Sequence, residues 1–542
     1  MFTYRKISIA GLAAFAAATP LFAGAVRAAA STGPPLNIVA IGDSYASGQG
    51  DMGSGWLDAT CYRSYNAAAR LAEEDLNRPV NFTFLACNGS TISNSNPAQS
   101  LLGSGGQLDT ALSMADPGGS HPVDAMTISI GGNNIGFSNI VTNCLAPFNS
   151  CSTDPNVTGL SGVGTVSQAL QALEGTIPSP QGFGNLVQLV QQVNSHPDIE
   201  NVYLTEYPDP TTGPVDAAGD NNLCGSPADP PFSFPESDIS ADDAYWASNS
   251  VIQQLNAALQ GAVSMGNSQS GTHAVWHYVS GISSAFYTHG YCNPNTGPNG
   301  RFVNTLTDSV TTENLSQTGT MHPNDEGQHA IASILYNDYV TGNVMSASAS
   351  TSPPAVAGTP TNLTVQALNF AGTPVANAAV LVDGTQVGYI NSAGSLVVSN
   401  YEFPTAGNHT IVVQENGWAS GRAVVAVQPR PYTAASSPSP IPVKTLIPAL
   451  TLTATDTVTG QAVPGTFTFA APGVPGTQSV RAGATASNVT VGMGHTTKTI
   501  IGPTGKPITI TVPACPTLTF QPDSAAYASQ DFTKLINCST PV

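Results

Sequence analysis

Between Leu36 and Asp338 short apolar runs alternate with stretches of helical spacing. Leu36–Ile41, Phe82–Ala86, Ala125–Ile130 and Asn201–Thr205 read as strands, and Ala67–Leu76, Val166–Leu173, Leu186–Val193, Tyr245–Val263 and Glu326–Val340 as helices. That alternation predicts a three-layer α/β/α domain built on a parallel sheet. After Met345 the period changes to two, in Ala379–Gly384 and Thr410–Val413, then in Leu450–Ala454, Thr466–Ala470 and Ile508–Val512, with Gly, Asn and Pro between the runs. This is the pattern of two β-sandwich modules. The expected organisation is an α/β domain over 31–345, a Ser/Pro linker over 346–357, a sandwich over 358–429, a Pro/Ser linker over 430–443 and a second sandwich over 444–542.

Charge is scarce and unevenly placed. Only 9% of the 542 residues are charged and the net charge is −19, against about 25% charged in an ordinary soluble domain. Residues 31–345 hold four arginines, no lysine and 27 acids, a net of −23, whereas 346–542 are nearly neutral. A phosphate-backbone partner is therefore disfavoured, and no nucleic acid is expected. Residues 1–30 have the form of an export signal: Arg5 and Lys6, an apolar Ile7–Val26 interrupted by Pro20, and Ala28-Ala29-Ala30 before Ser31. The mature chain is expected to be secreted, extracellular and monomeric. Eight cysteines fit that compartment, and their spacing suggests the pairs Cys61–Cys87, Cys144–Cys151, Cys224–Cys292 and Cys515–Cys538. None lies in a CxxC pair, so zinc ribbons and thiol redox sites are not expected.

Four loops carry candidate chemistry. Leu36–Ile41 runs into Gly42-Asp43-Ser44-Tyr45, which places Ser44 at the carboxyl edge of the sheet, where open α/β folds bind ligands. Ala86-Cys87-Asn88-Gly89-Ser90 and Ile130-Gly131-Gly132-Asn133 follow the next two strands and offer a glycine N–H and an asparagine amide. Met321-His322-Pro323-Asn324-Asp325-Glu326-Gly327 sets a histidine before a helix. His322, Asp325, Glu326 and His329 invite a metal reading, but Pro323 at the first helical position with acids in the first turn is ordinary helix-start chemistry, and no metal is expected. The chain has no phosphate-binding loop, no dinucleotide fingerprint, no His-Glu-x-x-His and no Gly-x-Ser-x-Gly.

In order and type these four segments resemble the blocks of the SGNH hydrolases, or GDSL-type esterases, over residues 36–340. Cys61-Tyr62-Arg63-Ser64, Glu206-Tyr207-Pro208-Asp209 and Phe286–Cys292 are similar to subsidiary signatures of the secreted actinobacterial esterase and lipase branch. The resemblance implies Ser44 as nucleophile, His322 as general base, and an oxyanion hole from the Ser44 N–H, the Gly89 N–H and the Asn133 side chain, with no cofactor. One position departs from the family pattern. Where an Asp three residues before the histidine orients it in much of the family, this chain has Gly319. The Gly319 backbone carbonyl is the expected substitute, with Asp308 and Glu313 as alternatives. The expected activity is carboxylic ester hydrolysis, on a lipid, an acylated small molecule or an acylated polymer. The alternatives are a polysaccharide acetyl esterase of the same fold, or a surface adhesion protein whose sandwiches dominate. The C-terminal blocks loosely resemble bacterial Ig-like modules, whose expected partner is cell wall or polysaccharide.

Overall fold

The computed structural model describes residues 35–538 except 52, 54, 77, 116–121, 147–149, 214–223, 225–238, 270–273, 313–316, 417 and 502–505. The expected export signal lies outside the described residues. Five strands, β1 (Leu36–Gly42), β2 (Val80–Phe84), β3 (Ala125–Ser129), β4 (Asn201–Thr205) and β5 (Val275–Val279), form one sheet in the order β2-β1-β3-β4-β5. All four pairings are parallel. Every residue of β1, β3 and β4 is buried. Successive side chains of a strand face opposite ways, so both faces of the sheet are covered. The strand missing from the sequence reading is β5. Its run is broken by His277, which stacks on Tyr203 of β4 with ring centroids 4.6 Å apart and bonds Asn201 at 3.2 Å.

The covering helices are α1 (Ser44–Ser47), α2 (Ala68–Glu74), α3 (Gln107–Ala115), α4 (Phe137–Cys144), α5 (Val166–Glu174), α6 (Leu186–Asn194), α7 (Ala241–Trp246), α8 (Gln253–Ser268) and α9 (Asp325–Thr341). The single helix expected over Tyr245–Val263 is divided: a π-helical turn, Ala247–Ile252, separates α7 from α8. The start of α9 also differs from expectation. Asn324 is the N-cap, its side chain accepting the Gly327 N–H at 3.0 Å, so Pro323 lies outside the helix rather than at its first position.

The two expected linkers are strands. Met345–Ser352 (β6) pairs antiparallel with Pro360–Asn369 (β7) from Met345↔Asn369 to Ser352↔Asn362. Its Ser/Ala alternation is a period-two pattern written in small residues, with Met345 buried and Ala347 and Ala349 against the sandwich core. Likewise Tyr432–Ser437 pairs with Leu446–Asp456. The first sandwich adds Ala379–Val382 (β8), Thr385–Tyr389 (β9), Ser395–Glu402 (β10), Gly407–Gln414 (β11) and Gly421–Val427 (β12), in sheets β9-β8-β11-β12 and β10-β7-β6. The second closes its own core around Leu450, Leu452, Phe467 and Phe520. The first sandwich packs against the α/β domain: Phe370 meets Tyr339 of α9 at 6.1 Å, and the buried Arg78 bonds Ser346 at 2.8 Å and the Asn369 carbonyl at 3.0 Å.

Candidate active site

At the end of β1 the chain must turn sharply under β3. A Cβ on Gly42, at φ +140°, would lie 2.2 Å from the Ser129 carbonyl oxygen, so only glycine fits. Asp43 then caps α1, its carboxylate accepting the Tyr45 N–H at 3.0 Å. Ser44 is the first helical residue and is buried. Its N–H has no acceptor among the described residues, as expected of a first-turn donor.

The His322 ring stands against Ser44. Its Nε2 is 2.8 Å from Ser44 Oγ and its Nδ1 is 3.1 Å from the Thr320 carbonyl oxygen. A carbonyl only accepts, so Nδ1 carries the proton and Nε2 presents its lone pair to the hydroxyl. Tyr45 and Phe137 flank the ring at 5.1 and 5.8 Å. The preceding residue, Met321, is held at φ +64°, a left-handed conformation costing about 1–3 kcal/mol in a non-glycine residue. Two bonds fix it there: the Tyr45 hydroxyl donates to its carbonyl at 2.7 Å, and its N–H donates to the Asn304 carbonyl at 3.0 Å. Burial pushes the His322 pKa down to about 4, against the opposing pull of the Thr320 and Gly319 carbonyls.

The carbonyl bonded to His322 Nδ1 is that of Thr320, one residue after the expected Gly319, whose own carbonyl also acts on the ring. The chain turns tightly here, so the Gly319 carbonyl receives the backbone N–H of His322 at 2.9 Å, and the next carbonyl faces Nδ1. Asp308 accepts the Arg301 Nε and Nη2, both at 2.8 Å. Glu313 lies outside the described residues.

Gly89 and Asn133 line the same cavity as Ser44 and His322, of about 320 Å³, walled on one side by Phe137 and Val141 of α4. The Gly89 N–H has no acceptor among the described residues. Gly89 sits at φ +72°, and a Cβ would meet the Gln99 amide at 2.9 Å, the group that donates to the Asn88 carbonyl. Asn133 Nδ2 donates to the Ser90 carbonyl at 3.0 Å, leaving its second hydrogen unspent.

Two side chains that sequence reasoning gave no role hold these loops in register. Gln107 Oε1 accepts the Gly42 N–H at 2.8 Å, and its Nε2 reaches the Gly42 carbonyl at 3.1 Å and Ser90 Oγ at 2.9 Å, joining the Ser44 and Gly89 turns. The Tyr207 hydroxyl donates to Asp43 in a short bond and accepts the Gly132 N–H at 2.9 Å, joining the Ser44 and Asn133 turns. Burial raises the Asp43 pKa to about 7, which the Tyr207 bond opposes. A motif signal existed for Tyr207, in Glu206-Tyr207-Pro208-Asp209. Gln107 carries none, because a lone glutamine at a helix start looks like any surface residue.

The structure joins Cys61 to Cys87, Cys144 to Cys151, Cys224 to Cys292 and Cys515 to Cys538. The first of these ties the loop before α2 to the Gly89 turn, and the Asn88 N–H adds a bond to the Cys61 carbonyl at 3.1 Å. Among the described residues no group of three His, Cys, Asp or Glu is placed to hold a metal ion.

Residues 40–265 match the GDSL-like lipase/acylhydrolase family. Among solved structures, the chain is similar to an extracellular lipase from Streptomyces rimosus, at 19% identity over 55% of this chain and 98% of that one, with a TM-score of 0.36. It is also similar to phospholipase A1 from Streptomyces albidoflavus NA297, at 19% identity over 56% and 98% of the two chains, with a TM-score of 0.37. No curated protein matches the chain.

Proposed function

We propose, from the match of residues 40–265 to the GDSL-like lipase/acylhydrolase family, that this chain is a secreted ester hydrolase working through an acyl-Ser44 intermediate. The observation that carries the reading is the 2.8 Å contact between His322 Nε2 and Ser44 Oγ, with the tautomer set by the carbonyl behind it. Ser44 Oγ attacks the ester carbonyl carbon as Nε2 takes its proton. The oxygen that gains the charge sits between the Ser44 N–H, the Gly89 N–H and the free hydrogen of Asn133 Nδ2. The tetrahedral adduct collapses, Nε2–H protonates the departing alkoxide, and the alcohol leaves. A water then surrenders a proton to Nε2 and attacks acyl-Ser44, releasing the carboxylic acid and restoring the serine. Among the described residues, the Thr320 and Gly319 carbonyls steady the imidazolium in this scheme. Four disulfides with no free cysteine support an extracellular setting.

The low pKa of His322 has a direct kinetic consequence. A base with a folded-state pKa of about 4 is neutral, and therefore competent, above that pH. On p-nitrophenyl butyrate, kcat/KM is expected to hold within about twofold from pH 8 to 5, whereas an imidazole at about 6.5 would lose roughly tenfold by pH 5.5. An acid limb centred near 6.5 overturns the assignment.

The scheme also separates Asp308 from catalysis. Asp308→Asn removes a fork to the buried Arg301 and is expected to cost about 1–3 kcal/mol of stability. Its kcat/KM should stay within about threefold of the parent. A loss of about 10³-fold would make Asp308 the orienting carboxylate instead.

A further inference from the structure

A cavity larger than the catalytic one lies elsewhere in the α/β domain. It is a groove of about 740 Å³ between the 152–157 loop, α5 and the π-helical turn after α7, and it shares no lining residue with the Ser44 cavity. Its size falls in the range of small-molecule sites, roughly 300–1,000 Å³. The walls are held in place independently of any ligand. The Cys144–Cys151 disulfide closes the base of the loop, and Asp243 accepts both the Ser150 hydroxyl and the Ser152 N–H at 2.9 Å. A capping box between Thr165 and Gln168 fixes the start of α5. π-Helical turns cost hydrogen-bond geometry and concentrate at functional sites. This one carries Asn249 and Ser250 into the groove directly after Trp246.

The lining has a definite chemistry. Trp246 is half-buried at the wall, and Tyr245, one residue earlier, is 63% exposed. Ser167, Gln171, Glu174 and Ser250 line the groove with side chains that make no hydrogen bond to any described residue, so their donors and acceptors are available. No lysine, arginine or histidine lines it, and it sits in a domain of four arginines and 27 acids. An anionic ligand is repelled there. The remaining match is a neutral ligand with flat apolar faces and many hydroxyls: a ring face stacks on the indole, while amide and carboxylate groups bridge hydroxyl pairs.

We infer that this groove is a second binding site, for a neutral saccharide chain, separate from the site of ester hydrolysis. Binding does not depend on the Ser44 chemistry, so the two readings fail separately. The test uses the full chain carrying Ser44→Ala, titrated calorimetrically with cellohexaose, xylohexaose, mannohexaose and chitohexaose, with polygalacturonate as the anionic control. At least one neutral hexaose is expected to bind and polygalacturonate is not. Adding Trp246→Ala should weaken binding by about tenfold or more. The pair Gln171→Ala with Glu174→Ala, both on the exposed side of α5, should also weaken it and serves where Trp246→Ala lowers the melting temperature. With Ser44 intact, Trp246→Ala should keep p-nitrophenyl acetate hydrolysis within about twofold. The inference is overturned if no neutral hexaose binds, if polygalacturonate binds as well as they do, or if binding survives both sets of substitutions and so belongs to the sandwiches.

Discussion

Ser44→Ala is expected to lower kcat for p-nitrophenyl butyrate by roughly 10⁴-fold or more while leaving KM and the melting temperature near those of the parent. The asymmetry follows from the surroundings of the side chain. Ser44 Oγ makes one hydrogen bond, to His322 Nε2, and contributes nothing else that the fold needs. Alanine is at ease in the first turn of α1, whose cap is the Asp43 carboxylate rather than Ser44. Deleting the hydroxyl therefore removes the atom that bonds to the acyl group and leaves the cavity, the oxyanion donors and the scaffold in place. Nucleophile and base act as one unit, so His322→Ala should cost about as much, and the double variant scarcely more than either single one. A Ser44→Ala protein that keeps more than about a tenth of the activity at an unchanged melting temperature defeats the acyl-serine reading. So does a double variant whose losses simply multiply.

What sequence made legible was governed by how local each signal is. Ser44, Gly89, Asn133 and His322 each lie in a short segment with its own punctuation, a strand end followed by glycines or a histidine before a helix start. The structure brings all four to one cavity. The groups that set their spacing are legible only in three dimensions. Gln107 lies 65 residues from Gly42 and Tyr207 lies 164 from Asp43, and neither has a pattern of neighbours that announces a buried hydrogen-bond hub. The Nδ1 bond goes to the Thr320 carbonyl, one residue after the expected Gly319, because the direction of a carbonyl is fixed by backbone torsions that residue types do not encode. The linker expectation failed for a different reason. Ser and Ala in alternation score as flexible by composition, yet the same alternation lets β6 put alanines against a core and serines on its other face, Ser346 against Arg78, along eight paired positions. Composition and periodicity disagreed there, and periodicity prevailed because β7 supplied a partner.

Asn133→Ala is expected to reduce kcat by about 10²–10³-fold, equivalent to roughly 3–4 kcal/mol of transition-state stabilisation, with little change in KM. Of the three proposed oxyanion donors only this one is a side chain, so it alone can be deleted without disturbing the backbone. One of its amide hydrogens is committed to the Ser90 carbonyl at 3.0 Å, which aims the other without mobile charge. The charge it meets exists only in the tetrahedral adduct, so the loss falls on the chemical step rather than on substrate binding. Asn133→Asp sharpens the distinction. A carboxylate has no hydrogen to offer and faces both the Ser90 carbonyl and the developing oxyanion, so at pH 7 it should be slower than the alanine variant. Protonation restores a donor, so the aspartate variant should gain on the alanine one as the pH falls from 7 toward 5, where His322 is still largely neutral. An equal loss in kcat/KM from a raised KM would make Asn133 a substrate-binding residue. Alanine and aspartate variants of equal rate at every pH would remove it from the oxyanion hole.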